Sequence, residues 1–129
     1  MNVTPEVMNW LKKADNDLAA AYWLAENEQP FPDQIGFFCQ QSAEKYLKAF
    51  IVAFGQTPPR IHDIDALLDI CATVNADFDK LHSKVLGLTE FAVIFRYPDE
   101  WSDEITASHA LEQTESIKLL VYQKLNLTL

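Results

Sequence analysis

Apolar side chains recur at steps of three and four along most of the 129-residue chain, the spacing that gathers them on one face of an α-helix. Val7, Leu11, Ala14, Leu18, Ala21, Tyr22 and Ala25 form the first such row, with Lys12, Lys13, Asp15 and Asp17 between them. They predict a helix over 5–27. Thr4 supplies a capping hydroxyl, and Pro5 suits the first helical position because its missing N–H would have had no partner there. Gln29-Pro30-Phe31-Pro32 ends it. A second helix is predicted over 33–55, from an acidic cap at Asp33 through Phe38, Ser42, Tyr46, Leu47, Phe50 and Phe54 to Gly55. Its run from Ala49 to Phe54 is apolar on every side, which makes it the central helix.

Pro58-Pro59 imposes a loop, and His62-Asp63 opens a short third helix whose buried face is Ile64, Leu67, Leu68 and Cys71 and which fades near Val74. Leu81, Val85, Leu88, Ala92 and Phe95 predict a fourth amphipathic helix, closed by Pro98, so that Arg96-Tyr97 stands at a helix terminus. After the acidic loop from Asp99 to Glu104, a last helix starts near Thr106 and carries Ala110, Ile117, Leu120, Val121 and Leu125. About five helices with short connections read as an all-α, antiparallel up-and-down bundle in one domain, residues 1–129, with 5–27 and 33–55 as its spine.

Charge narrows the function. Ten bases stand against nineteen acids, a net −9, and the excess is uneven: residues 1–62 hold five bases and seven acids, residues 63–129 five and twelve. DNA and anionic membranes are thereby excluded as wholesale electrostatic partners, while a local phosphate site remains open. The longest apolar run is too short to span a bilayer. Cys39 and Cys71 form no CxxC pair, and the start of the chain lacks a signal-peptide pattern, so reduced thiols and a cytoplasmic location are expected. His62, His82 and His109 show no HExxH or Cys/His spacing, and three glycines make no phosphate-binding loop, so neither a metal nor a cofactor is expected. The tryptophans and phenylalanines are mostly assigned to the core. Phe37 and Trp101 are the exceptions, and an exposed Phe37 predicts self-association.

Trp10 with Ala14 and Asp17-Leu18, then Phe38-x-Gln40-Gln41-x-Ala43-Glu44-Lys45-x-Leu47-Lys48-Ala49, then Pro59-x-x-His62-Asp63-Ile64, then Arg96-Tyr97-Pro98 follow one another along nearly the whole chain. In that order and spacing they resemble the HEPN family. The resemblance implies a small helical bundle, often a homodimer, that acts on RNA or pairs with a minimal nucleotidyltransferase in toxin–antitoxin or defence systems. The family's ribonuclease members place a histidine four to six residues after an arginine. Here the residue after that pattern's arginine position fails to match: the first histidine beyond Arg96 is His109, thirteen positions on.

The candidate nucleotide-binding residues are Arg96, Tyr97, His62, Asp63, Lys45 and Gln41, with Arg96 and His62 also the candidates for any catalysis. A guanidinium offers a fixed fork of donors to phosphate, and a tyrosine ring stacks on a base. Four acids near Arg96 in sequence, Asp99, Glu100, Asp103 and Glu104, offer it a salt bridge instead. A neutral imidazole takes a proton from a hydroxyl, and an adjacent carboxylate, here Asp63, orients it; the alternative makes Asp63 a helix cap. Gln41, Lys45 and Lys48, with Gln40 and Glu44, read as a polar stripe opposite the apolar face, either meeting phosphate or forming a solvated Glu44–Lys48 pair. Three functions follow: a nucleotide- or RNA-contacting module working with a nucleotidyltransferase, a metal-independent endoribonuclease toxin, or a non-catalytic structural adaptor.

Overall fold

The computed structural model describes residues 1–27 and 31–129, and they form helices and connecting loops with no strand. The expected terminator at Gln29-Pro30 lies outside the described residues. Helix α1 covers Pro5–Ala25, α2 Pro32–Ala53, α3 Ile64–Ala72, α4 Phe91–Ile94 and α5 Glu104–Lys124, with a 3₁₀ helix over Ala76–Lys84 between α3 and α4. The bundle is all-helical, as the spacing predicts.

Caps account for several boundaries. Thr4 accepts from the Val7 amide at 3.2 Å, and Asp103 accepts from the Thr106 amide at 2.7 Å, starting α5 two residues before the expected Thr106. Asp33 behaves differently from the expected cap. Pro32 occupies the first position of α2, no side chain among the described residues caps that end, and the Asp33 carboxylate instead accepts from the Ser102 amide at 2.8 Å and hydroxyl at 2.7 Å. A residue that reads as a local cap is used to tie a distant loop to the spine.

Helices α1 and α2 are antiparallel: the Asn2 amide reaches the Ala53 carbonyl, and the Ser42 hydroxyl donates to the Ala14 carbonyl at 2.8 Å. Helix α5 runs in the same sense as α2, since Ser102 meets Asp33, Thr114 meets Cys39 and Tyr122 packs edge-on against Tyr46. The intervening segment, α3 to α4, carries the chain back. Tyr46, Leu47, Phe50 and Ile51 on α2 are fully buried and pack with Leu11, Leu67, Phe78 and Ile117 from the surrounding elements. Central placement of α2 follows from its apolar last turns.

The expected fourth helix is a correction. Leu81, Val85, Leu88 and Ala92 are all buried, as their spacing requires, but Gly87 adopts φ 87°, a left-handed conformation that ends any helix and that glycine alone enters at little cost. A 3₁₀ helix and the single turn of α4 replace one continuous element. Helix α4 sits tightly on α2, because a Cβ on Gly36 would fall 1.9 Å from the Phe91 ring. Beyond it Phe95 stacks on Phe37, centroids 4.1 Å apart, so Phe37 is half-buried within the chain rather than left bare. Trp23 departs from its core assignment at 72% exposed, whereas Trp101 is exposed as expected, at 79%. Both cysteines are free and buried, and burial pushes each thiol up to about 12, so neither forms a reactive thiolate near neutral pH. No helix among the described residues is long and apolar enough to cross a membrane.

Candidate functional site

Gln40, Glu44 and Lys48 stand at steps of four on α2, and all three are buried. The sequence reads them as a solvated stripe, and the structure corrects this: α2 is covered by α1, α3, α4 and α5, leaving too little open face for one. A buried charge requires partners, and here the partners converge. Lys48 Nζ lies 2.8 Å from Glu44 Oε1, and Gln40 Nε2 donates to Glu44 Oε2 at 3.2 Å. The same Glu44 Oε1 is 2.9 Å from His62 Nδ1. Trp10 of α1 lies under the ammonium, 6.0 Å from Lys48 Nζ to the ring centroid, at the limit of a cation–π contact.

Two further bonds hold the loop that carries His62. Gln40 Nε2 donates to the His62 carbonyl at 3.1 Å, and the Thr89 hydroxyl accepts from the Ile64 amide at 3.0 Å. Asp63 takes the cap role, accepting from the Asp65 amide at 2.9 Å and the Ala66 amide at 3.3 Å. Glu44, from the middle of α2, therefore orients the imidazole where the sequence assigns that task to the adjacent Asp63. A carboxylate oxygen only accepts, so Nδ1 carries the proton and Nε2 is left facing outward. The His62 side chain is 59% exposed while that of Glu44 is 5% exposed. A buried ion pair thus ends in one accessible ring nitrogen.

The other predicted residues lie around this centre. Gln41 touches it, its Nε2 donating to Gln40 Oε1 at 2.8 Å. Lys45 is turned to α1, where it pairs with Asp17 at 2.5 Å. Arg96 and Tyr97 follow α4 and line an open recess of about 310 Å³ with Asp33, Gln34, Phe95 and Trp101. His62 is not part of that recess. Arg96 has no carboxylate within 4.0 Å among the described residues, so the acidic loop beside it does not occupy its guanidinium. His109 lies on α5, 3.6 Å from Glu112, and lines a different recess with Glu104, Ile105 and Ser108. Arg96 and His109 thus line separate recesses, and His62 lines neither of them.

Sequence reasoning puts Gln40, Glu44 and Lys48 in the polar stripe but leaves them out of the candidate binding residues. Their signal is the row they share: Gln40 and Glu44 fall eleven and seven positions before the buried Ile51, multiples of the helical repeat that place them beside the core.

The HEPN domain family model matches residues 7–125. The chain belongs to the HEPN family. Neither the curated proteins nor the solved structures provide a match. Membership gives this HEPN domain a nucleotide- or RNA-related role, and the stretch matched includes every candidate residue above.

Proposed function

We propose that this domain holds a single strand of RNA across the surface between the His62 loop and the segment that follows α4, with His62 at one contact and Arg96 and Tyr97 at another. The observation that carries the reading is the Glu44-held imidazole. Burying a Lys–Glu pair contributes little or nothing to stability over an apolar pair of the same size, so its presence under an exposed histidine points to a ligand. Gln34, beside Arg96, and Glu44, beside His62, are ten residues apart on one helix, about 15 Å at the helical rise. One mononucleotide does not cover that span, whereas successive residues of a strand do. Arg96 supplies the phosphate fork and Tyr97, with Trp101, the stacking surface. The acidic second half of the chain keeps such binding weak, and a single guanidinium on phosphate gives it a shallow salt dependence.

Self-association, and pairing with a minimal nucleotidyltransferase in a toxin–antitoxin or defence setting, belong to the same proposal. Their support is the family and the exposed apolar side chains Val93 and Ile105 around the α4–α5 connection. A second reading, metal-independent ribonuclease, is favoured by the same 2.9 Å contact, since a carboxylate-oriented histidine is also a general base.

The test is end-labelled single-stranded RNA in EDTA with wild type, His62→Asn and Arg96→Ala. Retention of intact RNA, weakened about tenfold or more by either substitution, is the expected result. Cleavage that is lost in His62→Asn makes the domain an enzyme. Absence of both binding and cleavage overturns the proposal and leaves the structural adaptor.

A further inference from the structure

On the far side of the 62–64 turn, α3 and the 3₁₀ helix bring four polar side chains together. Asp65 and Asp69 stand four residues apart on α3 and share one of its faces. Asp79 and His82 stand three apart on the 3₁₀ helix, where three residues complete a turn and side chains at that spacing eclipse. The His82 ring lies between the two pairs. Its Nδ1 is 2.7 Å from Asp65 Oδ1, and its Nε2 is 2.8 Å from Asp69 Oδ1 and 3.6 Å from Asp79 Oδ1. One ligand atom each from Asp69, Asp79 and His82 lies within 4.8 Å of the others.

We propose that Asp69, Asp79 and His82 Nε2 bind a divalent cation of the zinc class, with Asp65 as the positioning residue. Bonds of about 2.0–2.1 Å in a tetrahedral shell put neighbouring ligand atoms roughly 3.4 Å apart. The Nε2–Asp79 separation is already close to that, and Asp69, exposed and on a flexible stem, needs to withdraw by about half an ångström. As the ring stands both nitrogens face carboxylate oxygens, so both carry protons; a cation would replace the Nε2 proton between Asp69 and Asp79 while Asp65 keeps the Nδ1 proton. Such a carboxylate–histidine–metal relay fixes the ring and raises the basicity of its ligating nitrogen. The imidazole nitrogen selects zinc, cobalt or nickel over magnesium and calcium, which favour oxygen alone.

Charge argues the same way. Three carboxylates leave a local −2 even around a ring protonated on both nitrogens, and no lysine or arginine among the described residues lies within 4.0 Å of them. Without the metal a proton is the alternative occupant, and the Asp65 hydrogen bond is the main cause that raises the His82 pKa above the ordinary histidine value. No metal-binding spacing announces this site in the sequence, because one ligand comes from α3 and two from the 3₁₀ helix. The ion pins those elements together, so it acts on the stability of the domain.

The experiment uses untagged protein stripped with chelator, then titrated calorimetrically with Zn²⁺, and with Co²⁺ for its visible spectrum. Wild type and His109→Asn, the control for casual surface binding, are expected to take up one equivalent and to melt several degrees higher with Zn²⁺. Uptake is lost in His82→Asn and Asp69→Asn and weakened about 10- to 100-fold in Asp65→Asn. These are surface substitutions, and circular dichroism of each metal-free variant verifies its fold. No uptake by wild type overturns the proposal and leaves a proton-held clamp. Equal uptake by His82→Asn overturns it as adventitious binding.

Discussion

Two carboxylates gather polar side chains around α2, one from α1 and one within α2 itself, and they do so in different ways. Asp15 accepts hydrogen bonds from Tyr46 of α2 and, at 2.8 Å, from Tyr122 of α5, and pairs with Lys118 of α5 at 3.2 Å. Every partner comes from another helix, so each bond joins two parts of the bundle. Glu44 takes Gln40 and Lys48 from its own helix and only His62 from elsewhere. Bonds within one helix fix no tertiary arrangement, yet Glu44 carries the larger cost of a buried charge. The first assembly closes the bundle. The second aims one exposed ring, which is why function is assigned there.

The largest effect is expected from Glu44→Ala, which strands the Lys48 ammonium in the interior and should cost about 3–5 kcal/mol in urea denaturation. The paired change Glu44→Leu with Lys48→Met should restore most of that stability while RNA retention stays lost. A double variant that still binds RNA would break the contrast. Tyr46→Phe, at the other carboxylate, removes one hydrogen bond to a charged group and keeps the ring, so a loss of about 1.5–3 kcal/mol with normal RNA retention is expected.

The smallest effect is a dependence on alkaline pH. Burial first, then the hydrogen bond to Asp15, raises the Tyr46 and Tyr122 pKa values above the ordinary 10. Groups raised in this way contribute fully below pH 10, and that contribution is lost as pH climbs through the folded-state values. Urea midpoints measured upward from pH 8 should therefore fall less steeply for Tyr122→Phe than for wild type. Identical slopes would mean that the Tyr122 hydroxyl is not buried against Asp15 as described.

Much of the bundle is legible in the chain. The rows Val7-Leu11-Ala14-Leu18 and Ile64-Leu67-Leu68-Cys71 are buried as their spacing requires, and Thr4 is the expected cap. Asp63 takes the cap alternative. The fourth helix misleads because its apolar rhythm is real, while the left-handed Gly87 breaks the backbone beneath it. Phe37 misleads because Phe95, fifty-eight positions later, covers it. The candidate site is half legible. His62, Gln41 and Arg96 stand out by chemistry and by family, whereas Glu44 and Lys48 read as a surface pair because burial from several neighbours leaves no short-range mark.

By itself the sequence determined the helices α1, α2, α3 and α5, the apolar face of each, and the family to which the chain belongs, since periodicity, capping residues and motif order are properties of neighbouring positions. Tertiary structure alone decided the partner of each polar group: Glu44 rather than Asp63 for His62, Asp17 for Lys45, Ser102 for Asp33, Asp65 and Asp69 for His82. A charged side chain pairs with whatever opposite or hydrogen-bonding group the packed core brings within about 3 Å, and that proximity is set by helix packing across the whole chain, not by spacing along it.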